Sequence, residues 1–277
     1  MNTAKLFFIT GVSSGLGRAL AEEALKAGHR VVGTVRNERA RTEFEALAPG
    51  RCVGRILDVT DFDAIPAMVD AVEHEVGAVD VLVNNAGYGH EGIMEESPMS
   101  EILAQFNVNV FGAVATIKAF LPWFRSRRAG HILNITSMGG FITMPGISYY
   151  CGSKFALQGI SETLSKELKP FNIAVTAIQP GSFRTDWAGR SMVRSPRSIS
   201  DYDESFGPIR DTRIQRSGHQ AGDPQKAAWA ILQLVDSPTP PTSLLLGSDA
   251  VTFVRDKLRQ MSADIDAWQS VSKSTDS

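Results

Sequence analysis

The sequence predicts a doubly wound α/β domain: one parallel sheet of about seven strands with helices on both faces. Three observations carry this reading. Seven apolar runs of strand length recur along the chain, rich in Val and Ile and without clean polar alternation, as in strands buried on both faces. Longer amphipathic stretches separate them, so strand and helix alternate as a parallel sheet with crossover helices requires. A glycine-rich turn joins the first strand to the first helix.

The strands are expected at 6–10, 30–35, 53–58, 79–84, 131–136, 173–178 and 243–247. The first helix, 16–27, carries Leu16, Leu20, Ala24 and Ala27 on one face and stops at Gly28. The helix over 61–76 opens on Asp61 as N-cap and ends at Gly77. The helix over 99–124 is long, and Pro122 is expected to break its end. The helix over 150–168 presents Phe155, Leu157, Ile160, Leu164 and Leu168 and stops at Pro170. Asp223-Pro224, an N-cap followed by proline at the first helical position, starts the helix over 224–235. Neither a repeat nor an interdomain linker interrupts the chain, so 1–277 reads as one domain. Within it, 188–222 is rich in Arg, Ser, Asp and Gly with weak periodicity, the kind of long segment that is functional or mobile. Residues 269–277 read as a polar, flexible tail.

Composition excludes several classes. The formal net charge is -2, without the basic footprint of a nucleic-acid binder. Two cysteines, Cys52 and Cys151, are too few for a disulfide scaffold. The apolar run 6–9 is too short for a signal-peptide core. The uninterrupted apolar stretches are too short to span a bilayer. A cytoplasmic location without a membrane partner is therefore expected. The histidines at 29, 74, 90, 131 and 219 show no paired metal-ligand spacing, so no metal is expected.

Thr10-Gly11-Val12-Ser13-Ser14-Gly15-Leu16-Gly17 stands where the first strand gives way to the first helix. A pyrophosphate at that junction would meet free backbone N–H groups and the positive helix end. Gly11 permits the tight turn, Gly15 lets the backbone approach the phosphates, and Gly17 lets the helix pack close to the sheet. The spacing is G-x-x-x-G-x-G rather than the commoner G-x-G-x-x-G. Its strand–turn–helix context argues for a dinucleotide site over an ordinary glycine-rich loop.

Further motifs follow in order. Asn84-Asn85-Ala86-Gly87 ends the fourth strand, Asn109 lies in the long helix within NVNVFG, and Ser137 follows the fifth strand. Tyr150-Cys151-Gly152-Ser153-Lys154 opens the next helix, and Pro180-Gly181 follows the sixth strand with Thr185 four residues later. Together with the glycine turn, this series resembles the short-chain dehydrogenase/reductase family in its compact single-domain form, from about residue 5 to 249.

The resemblance implies a Rossmann-type fold. It also implies hydride transfer between a nicotinamide dinucleotide and a ketone, aldehyde or secondary alcohol. Ser137 would polarise the carbonyl and Tyr150 would supply the proton. Lys154 would hold the nicotinamide ribose and lower the tyrosine pKa, and Asn109 would hold a water that passes protons to Lys154. Cofactor contacts are implied for Gly11, Ser13, Ser14, Gly15, Leu16 and Gly17 in the turn. Others are implied for Asp58 at the adenine and its neighbour Val59, and for Asn85, Ala86 and Gly87 beside the adenosine ribose. Tyr150, Lys154, Pro180, Gly181 and Thr185 complete the set, and 188–222 takes the place of the substrate lid.

Tyr149 and Tyr150 compete for the catalytic role. Residues four apart share a helix face, so Lys154 lies on the face of Tyr150 and Ser153 on that of Tyr149. A nearby cation stabilises a phenolate, which selects Tyr150. The family's interval of thirteen residues from serine to tyrosine selects it too.

The family's acidic position at the end of the second strand falls on Val35, so the carboxylate that repels a 2′-phosphate is missing. Arg36 follows and can pair with a phosphate. NADP(H) is expected to be preferred, with NAD(H) as the alternative. Cys151 reads as a packed thiol, His90 as a surface-loop residue, and the arginines of 188–222 as a solvated face. Phe141, Met144, Trp187 and Phe206 are candidates for pocket wall or core. A non-catalytic dinucleotide sensor shares the fold, but such sensors lose the tyrosine or lysine present here. A methyltransferase would not need the YxxxK pair. The partners expected are a small carbonyl or alcohol substrate and a second copy of the chain, as homodimer or homotetramer.

Overall fold

The computed structural model describes residues 4–276. Its strands are β1 (Leu6–Ile9), β2 (Arg30–Val35), β3 (Cys52–Ile56), β4 (Val81–Asn84), β5 (Gly89–Glu91), β6 (Gly130–Ile135), β7 (Ile173–Pro180), β8 (Met192–Arg194) and β9 (Ser243–Leu246). Its helices are α1 (Gly15–Lys26), α2 (Glu38–Glu45), α3 (Ala64–Glu75), α4 (Met99–Phe106), α5 (Ala113–Arg127), α6 (Ser148–Leu168), α7 (Asp203–Gln215), α8 (Pro224–Val235) and α9 (Ser248–Lys273).

Seven strands form one parallel sheet in the order β3-β2-β1-β4-β6-β7-β9, the Rossmann-type arrangement expected. Chain order reverses between β1 and β4, so the C-terminal ends of those strands border a crevice. Side chains on β1 alternate between the two faces. Phe7 and Ile9 join the cluster containing Leu20, Ala24 and Ile231, while Leu6 and Phe8 join Val69, Ile117 and Phe120. Both faces are covered, which is why the run is apolar throughout. Burying a phenylalanine of this kind stabilises by about 1.5–3 kcal/mol.

The long helix departs from its expected form. It runs through Arg127 with Pro122 inside it. Phe120 and Phe124, both fully buried, anchor the segment, and Arg127 pairs with the nearly buried Glu73 at 2.6 Å. By length and hydropathy the whole run from Met99 to Arg127 is apolar enough to cross a bilayer, contrary to the sequence reading. Here Ile117, Phe120 and Phe124 pack into the core beneath the sheet, while Met99, Leu103 and Phe111 are exposed. A π-helical turn, Asn107–Gly112, divides α4 from α5, the kind of irregularity that re-aims side chains at functional sites.

Asp61 accepts from the Ala64 N–H (3.3 Å) just ahead of α3 rather than capping a helix that starts beside it. Helices α2, α7 and α9 had no sequence expectation. In α7 only Phe206 is buried, so no apolar stripe announces it. Helix α9 continues through Lys273, into the stretch expected as a tail; Ser277 lies outside the described residues. A second, two-stranded parallel sheet pairs β5 with β8, placing Glu91 opposite Arg194.

Candidate active site

The turn after β1 forms a cradle at the crevice. Gly11 and Gly15 have φ of +73° and +63°, where an L side chain is strained, and a side chain at Gly11 would press on Ala86. Gly17 serves a closer contact than the helix–sheet packing expected. Its missing side chain leaves room for the Asn85 amide, which donates to the carbonyls of Thr10 (2.9 Å) and Gly11 (2.8 Å). The backbone N–H groups of Asn85 and Ala86 both donate to Thr10 Oγ1 at 3.0 Å. The Asn85 side chain thus ties the two turns together. Ser14 is the N-cap of α1 and makes no side-chain cap bond, which leaves first-turn N–H groups for an anion.

The other expected cofactor residues gather along the same edge of the sheet. Ser13 is exposed, and Leu16 packs on the core. Thr185 lies across the turn from Gly15, and its Oγ1 accepts from the Trp187 N–H (3.3 Å). Pro180 ends β7 in register with Leu246, and Gly181 sits against the Asp249 carboxylate. Val59 is buried against Gly112. Asp58 is exposed; hydrogen bonds from the Thr60 side chain and backbone hold its carboxyl below the usual range, and Arg36 adds to this. Arg36 is exposed. Glycines, helix terminus and ribose-side turn together fit a dinucleotide.

Ser137, Tyr150 and Lys154 converge beyond the end of β6. Ser137 caps a short 3₁₀ turn, its Oγ accepting from the Gly139 N–H at 2.9 Å. A side chain at Gly139 would touch both Ser137 Oγ and the Tyr150 ring, so glycine keeps the two together. Burial pushes the Tyr150 phenol up to about 12, against the pull of the Ser137 hydroxyl and the Trp187 indole. That indole ring lies 5.0 Å from the Tyr150 ring, and its buried Nε1 makes no well-formed hydrogen bond. Burial also pushes the Lys154 amine down, to about 8. Lys154 Nζ donates to the Ile135 carbonyl (2.9 Å) and stands 5.8 Å from the centre of the Tyr150 ring. Ser137 and Trp187 are the groups that pull the Tyr150 phenol down against its burial.

Asn109 enters from the π-helical turn and is wholly engaged with protein. Its Nδ2 donates to Tyr88 O (3.1 Å) and Ser153 Oγ (3.2 Å), and its Oδ1 accepts from the Tyr88 N–H (3.1 Å). It fixes the turn after β4 to α6. Tyr149 points elsewhere: its hydroxyl donates to the Met94 carbonyl (3.1 Å) and its ring packs edge-on to His90. Cys151 is a buried free thiol whose pKa burial raises.

A second buried polar cluster was not anticipated. His90 is fully buried, not a surface-loop residue, and its Nε2 lies 2.8 Å from Glu101 Oε2. Ser195 Oγ donates to the same carboxylate at 2.6 Å. Burial pushes the Glu101 carboxyl up, but the bonds from Ser195 and His90 outweigh it and leave it low. Glu91, 1% exposed, pairs with Arg194 (2.6 Å) and Arg213. Glu96 accepts from the Ser198 and Ile199 N–H groups and pairs with Arg197 (2.8 Å). Arg194, Arg197 and Arg213 therefore form no solvated face: they latch the 188–222 segment to 91–101. The signal in sequence was the acidic series Glu91, Glu96 and Glu101 facing an arginine-rich segment. Of the wall candidates, Trp187 lies beside Tyr150 and Met144 packs near it. Phe206 is buried against Gly146 and Arg197, and Phe141 packs toward Ala250 and Val254.

Comparison with known proteins agrees with this geometry. The family model described as short chain dehydrogenase matches residues 5–193. Oxidoreductase BOA17 of Botryotinia fuckeliana is 36% identical over 97% of this chain and 98% of its own. The 3-ketodihydrosphingosine reductase of Bacteroides thetaiotaomicron is 35% identical over 88% of each chain. Among solved structures, a short-chain dehydrogenase from Streptomyces avermitilis superposes with a TM-score of 0.93 at 40% identity, covering 100% of both chains. Sequence, sheet order and the Ser137–Tyr150–Lys154 geometry converge on one conclusion: the chain belongs to the short-chain dehydrogenase/reductase family of oxidoreductases.

Proposed function

We propose that this protein reduces a ketone or aldehyde to an alcohol with NADPH, and runs the reverse reaction when the phenolate is available. The observation that carries the reading is geometric: the buried Tyr150 phenol sits beside Ser137, with the Lys154 amine 5.8 Å from its ring centre. A phenol so placed can pass its proton to a substrate oxygen held by Ser137. The turn from Gly11 to Gly17 and the first turn of α1 would bind the pyrophosphate, Asp58 the adenine side, and Lys154 with Thr185 the nicotinamide half. When bound, the nicotinamide supplies or accepts the hydride. The protein's own work is positional and protic. Ser137 donates a hydrogen bond to the substrate oxygen, and Tyr150 gives that oxygen its proton. Lys154 adds a positive charge to the site, and Asn109 fixes the surrounding turn. The 188–222 segment, with Trp187 at its root, would cover the substrate.

That a relative is named as a ketone reductase supports the carbonyl class. Arg36, with no acidic residue at Val35, supports NADPH over NADH. Two buried free cysteines are compatible with a reducing cytoplasm. The exposed Met99, Leu103, Phe111 and Phe155 on α4, the π turn and α6 support pairing with a second copy. The test is NADPH oxidation against a panel of ketones and aldehydes, for the wild type and two variants. Tyr150→Phe should lower kcat by roughly 10²–10⁴-fold while NADPH binding persists. Tyr149→Phe should retain most activity. Loss of turnover in Tyr149→Phe, or no substrate-dependent oxidation by the wild type, would reject the assignment.

A further inference from the structure

Helix α9 leaves the body of the protein and stands unpacked. It is 26 residues long, only Ala250 and Val254 are buried, and every described residue from Arg255 onward is exposed. In proteins most helical stability comes from packing an amphipathic face, and this helix has such a face. Val254, Leu258, Met261, Ile265 and Trp268 recur at alternating steps of four and three, the repeat of a two-helix seam. Four of them are strongly exposed: Leu258 50%, Met261 42%, Ile265 62% and Trp268 65%.

Charge identifies what covers this face. Its first half carries Arg255, Lys257 and Arg259 against Asp256 alone, and its second half, as far as Trp268, carries Asp264 and Asp266 with no cation. Asp249 precedes this stretch and Lys273 follows it; between them a seam that is basic over 255–259 and acidic over 264–266 complements itself when a second copy runs antiparallel. A membrane surface fits worse, because interfacial helices carry lysine and arginine along their polar face, and here Asp264 and Asp266 interrupt it.

We infer that α9 pairs antiparallel with α9 of a second copy of this chain, centred on Met261. In that register Ile265 of the partner subunit meets Leu258, and Trp268 of the partner subunit meets Val254. A cleft of about 280 Å³ already opens at this place, at the foot of α9 beside the edge strand β9. Its apolar walls are Phe141, Leu245, Val254 and Leu258, and the incoming indole fills it. The same residues border the cluster that contains Met138, next to catalytic Ser137, so the contact backs the loop that carries the serine. This surface is separate from the α4 and α6 faces discussed above.

Cysteine trapping in the full-length chain tests the register, since Cys52 and Cys151 are both buried. Under mild oxidation Met261→Cys should form a disulfide-linked dimer, and Trp268→Cys should not. Cross-linking at both positions would mean parallel pairing, and cross-linking at neither would mean no pairing; either result overturns the inference. Sedimentation tests the charge argument independently of whether the α4 and α6 faces also associate. Changing Arg255, Lys257 and Arg259 together to Asp should halve the sedimenting mass. Adding Asp264→Lys and Asp266→Lys to that variant should restore it. No restoration, or a wild type that stays unpaired through α9 and instead co-sediments with phosphatidylserine vesicles, would overturn it too. Unchanged circular dichroism and thermal midpoint would confirm that each variant is folded.

Discussion

Tyr150 with Lys154 on α6, and Glu91 with its arginines on the adjoining β5, are two buried polar groupings that treat burial in opposite ways. Lys154 is 5% exposed and offers its ammonium one carbonyl as hydrogen-bond acceptor. Burial drives it down to about 8 and the neighbouring phenol up to about 12. Glu91 is 1% exposed and is met by two guanidinium groups. A buried charge with little compensation is costly, but it remains available to a ligand. A buried charge fully met holds two segments in one register. The first grouping suits the proposed chemistry, and the second fastens Arg194 and Arg213 of the 188–222 segment to β5.

The largest expected change follows from breaking the fastening. Glu91→Gln keeps the shape and removes the charge, leaving Arg194 and Arg213 beside a neutral amide. Removing one member of a buried pair costs on the order of 3 kcal/mol, so the thermal midpoint should fall by roughly 6–12 °C at this chain length. Trypsin should also cut within 188–222 sooner than in the wild type. An unchanged midpoint together with unchanged cleavage would mean that the segment is held by something else.

The same contrast explains what could be read from the sequence. The proposed catalytic grouping is compact in sequence: Tyr150 and Lys154 share one turn, Ser137 lies thirteen residues before Tyr150, and Gly11, Gly15 and Gly17 fall within seven residues. Helical spacing, strand-end position and the family resemblance together single them out. The fastening was illegible because its bonds join residues far apart, 103 positions for Arg194 to Glu91 and 122 for Arg213 to Glu91. From composition, arginines beside serines and aspartates look solvated. Phe206, the one buried residue of α7, gives no period to read. Helix α9 stayed unassigned because the family resemblance stops near its start. The Asn109 geometry was hidden by the π turn, since an ideal helix would aim that side chain differently.

Breaking the reactive grouping should have the opposite sign. The Lys154 amine is lowered from 10.5 to about 8. In the folded chain it therefore opposes stability in full below pH 8. That penalty fades as pH rises from 8 toward 10.5, because the folded chain has released a proton that the unfolded chain still holds. Lys154→Met should then stabilise the ligand-free protein at pH 7 by up to about 3 kcal/mol, and its advantage over the wild type should shrink between pH 8 and 10. Denaturant melts of both proteins across that range give the difference directly. A constant difference would show that Lys154 keeps its ordinary pKa and is not a strained charge.

The smallest expected effect concerns a charge that is neither buried nor latched. Arg36 is exposed at the end of β2, next to the end of β3, and its charge contributes to holding the Asp58 carboxyl low. A 2′-phosphate on the adenosine would gain a charge-assisted bond from Arg36 and would be opposed by Asp58. One cation against one nearby carboxylate gives a modest preference. Arg36→Ala should raise KM for NADPH about tenfold, the effect of roughly 1.4 kcal/mol, and leave KM for NADH nearly unchanged. Because the arginine is in solvent, the preference should also shrink with added salt, whereas the Glu91 latch, being buried, should be far less sensitive to it. A wild type that uses both cofactors equally or prefers NADH, or an Arg36→Ala variant in which both KM values rise together, would remove the phosphate-binding role from Arg36.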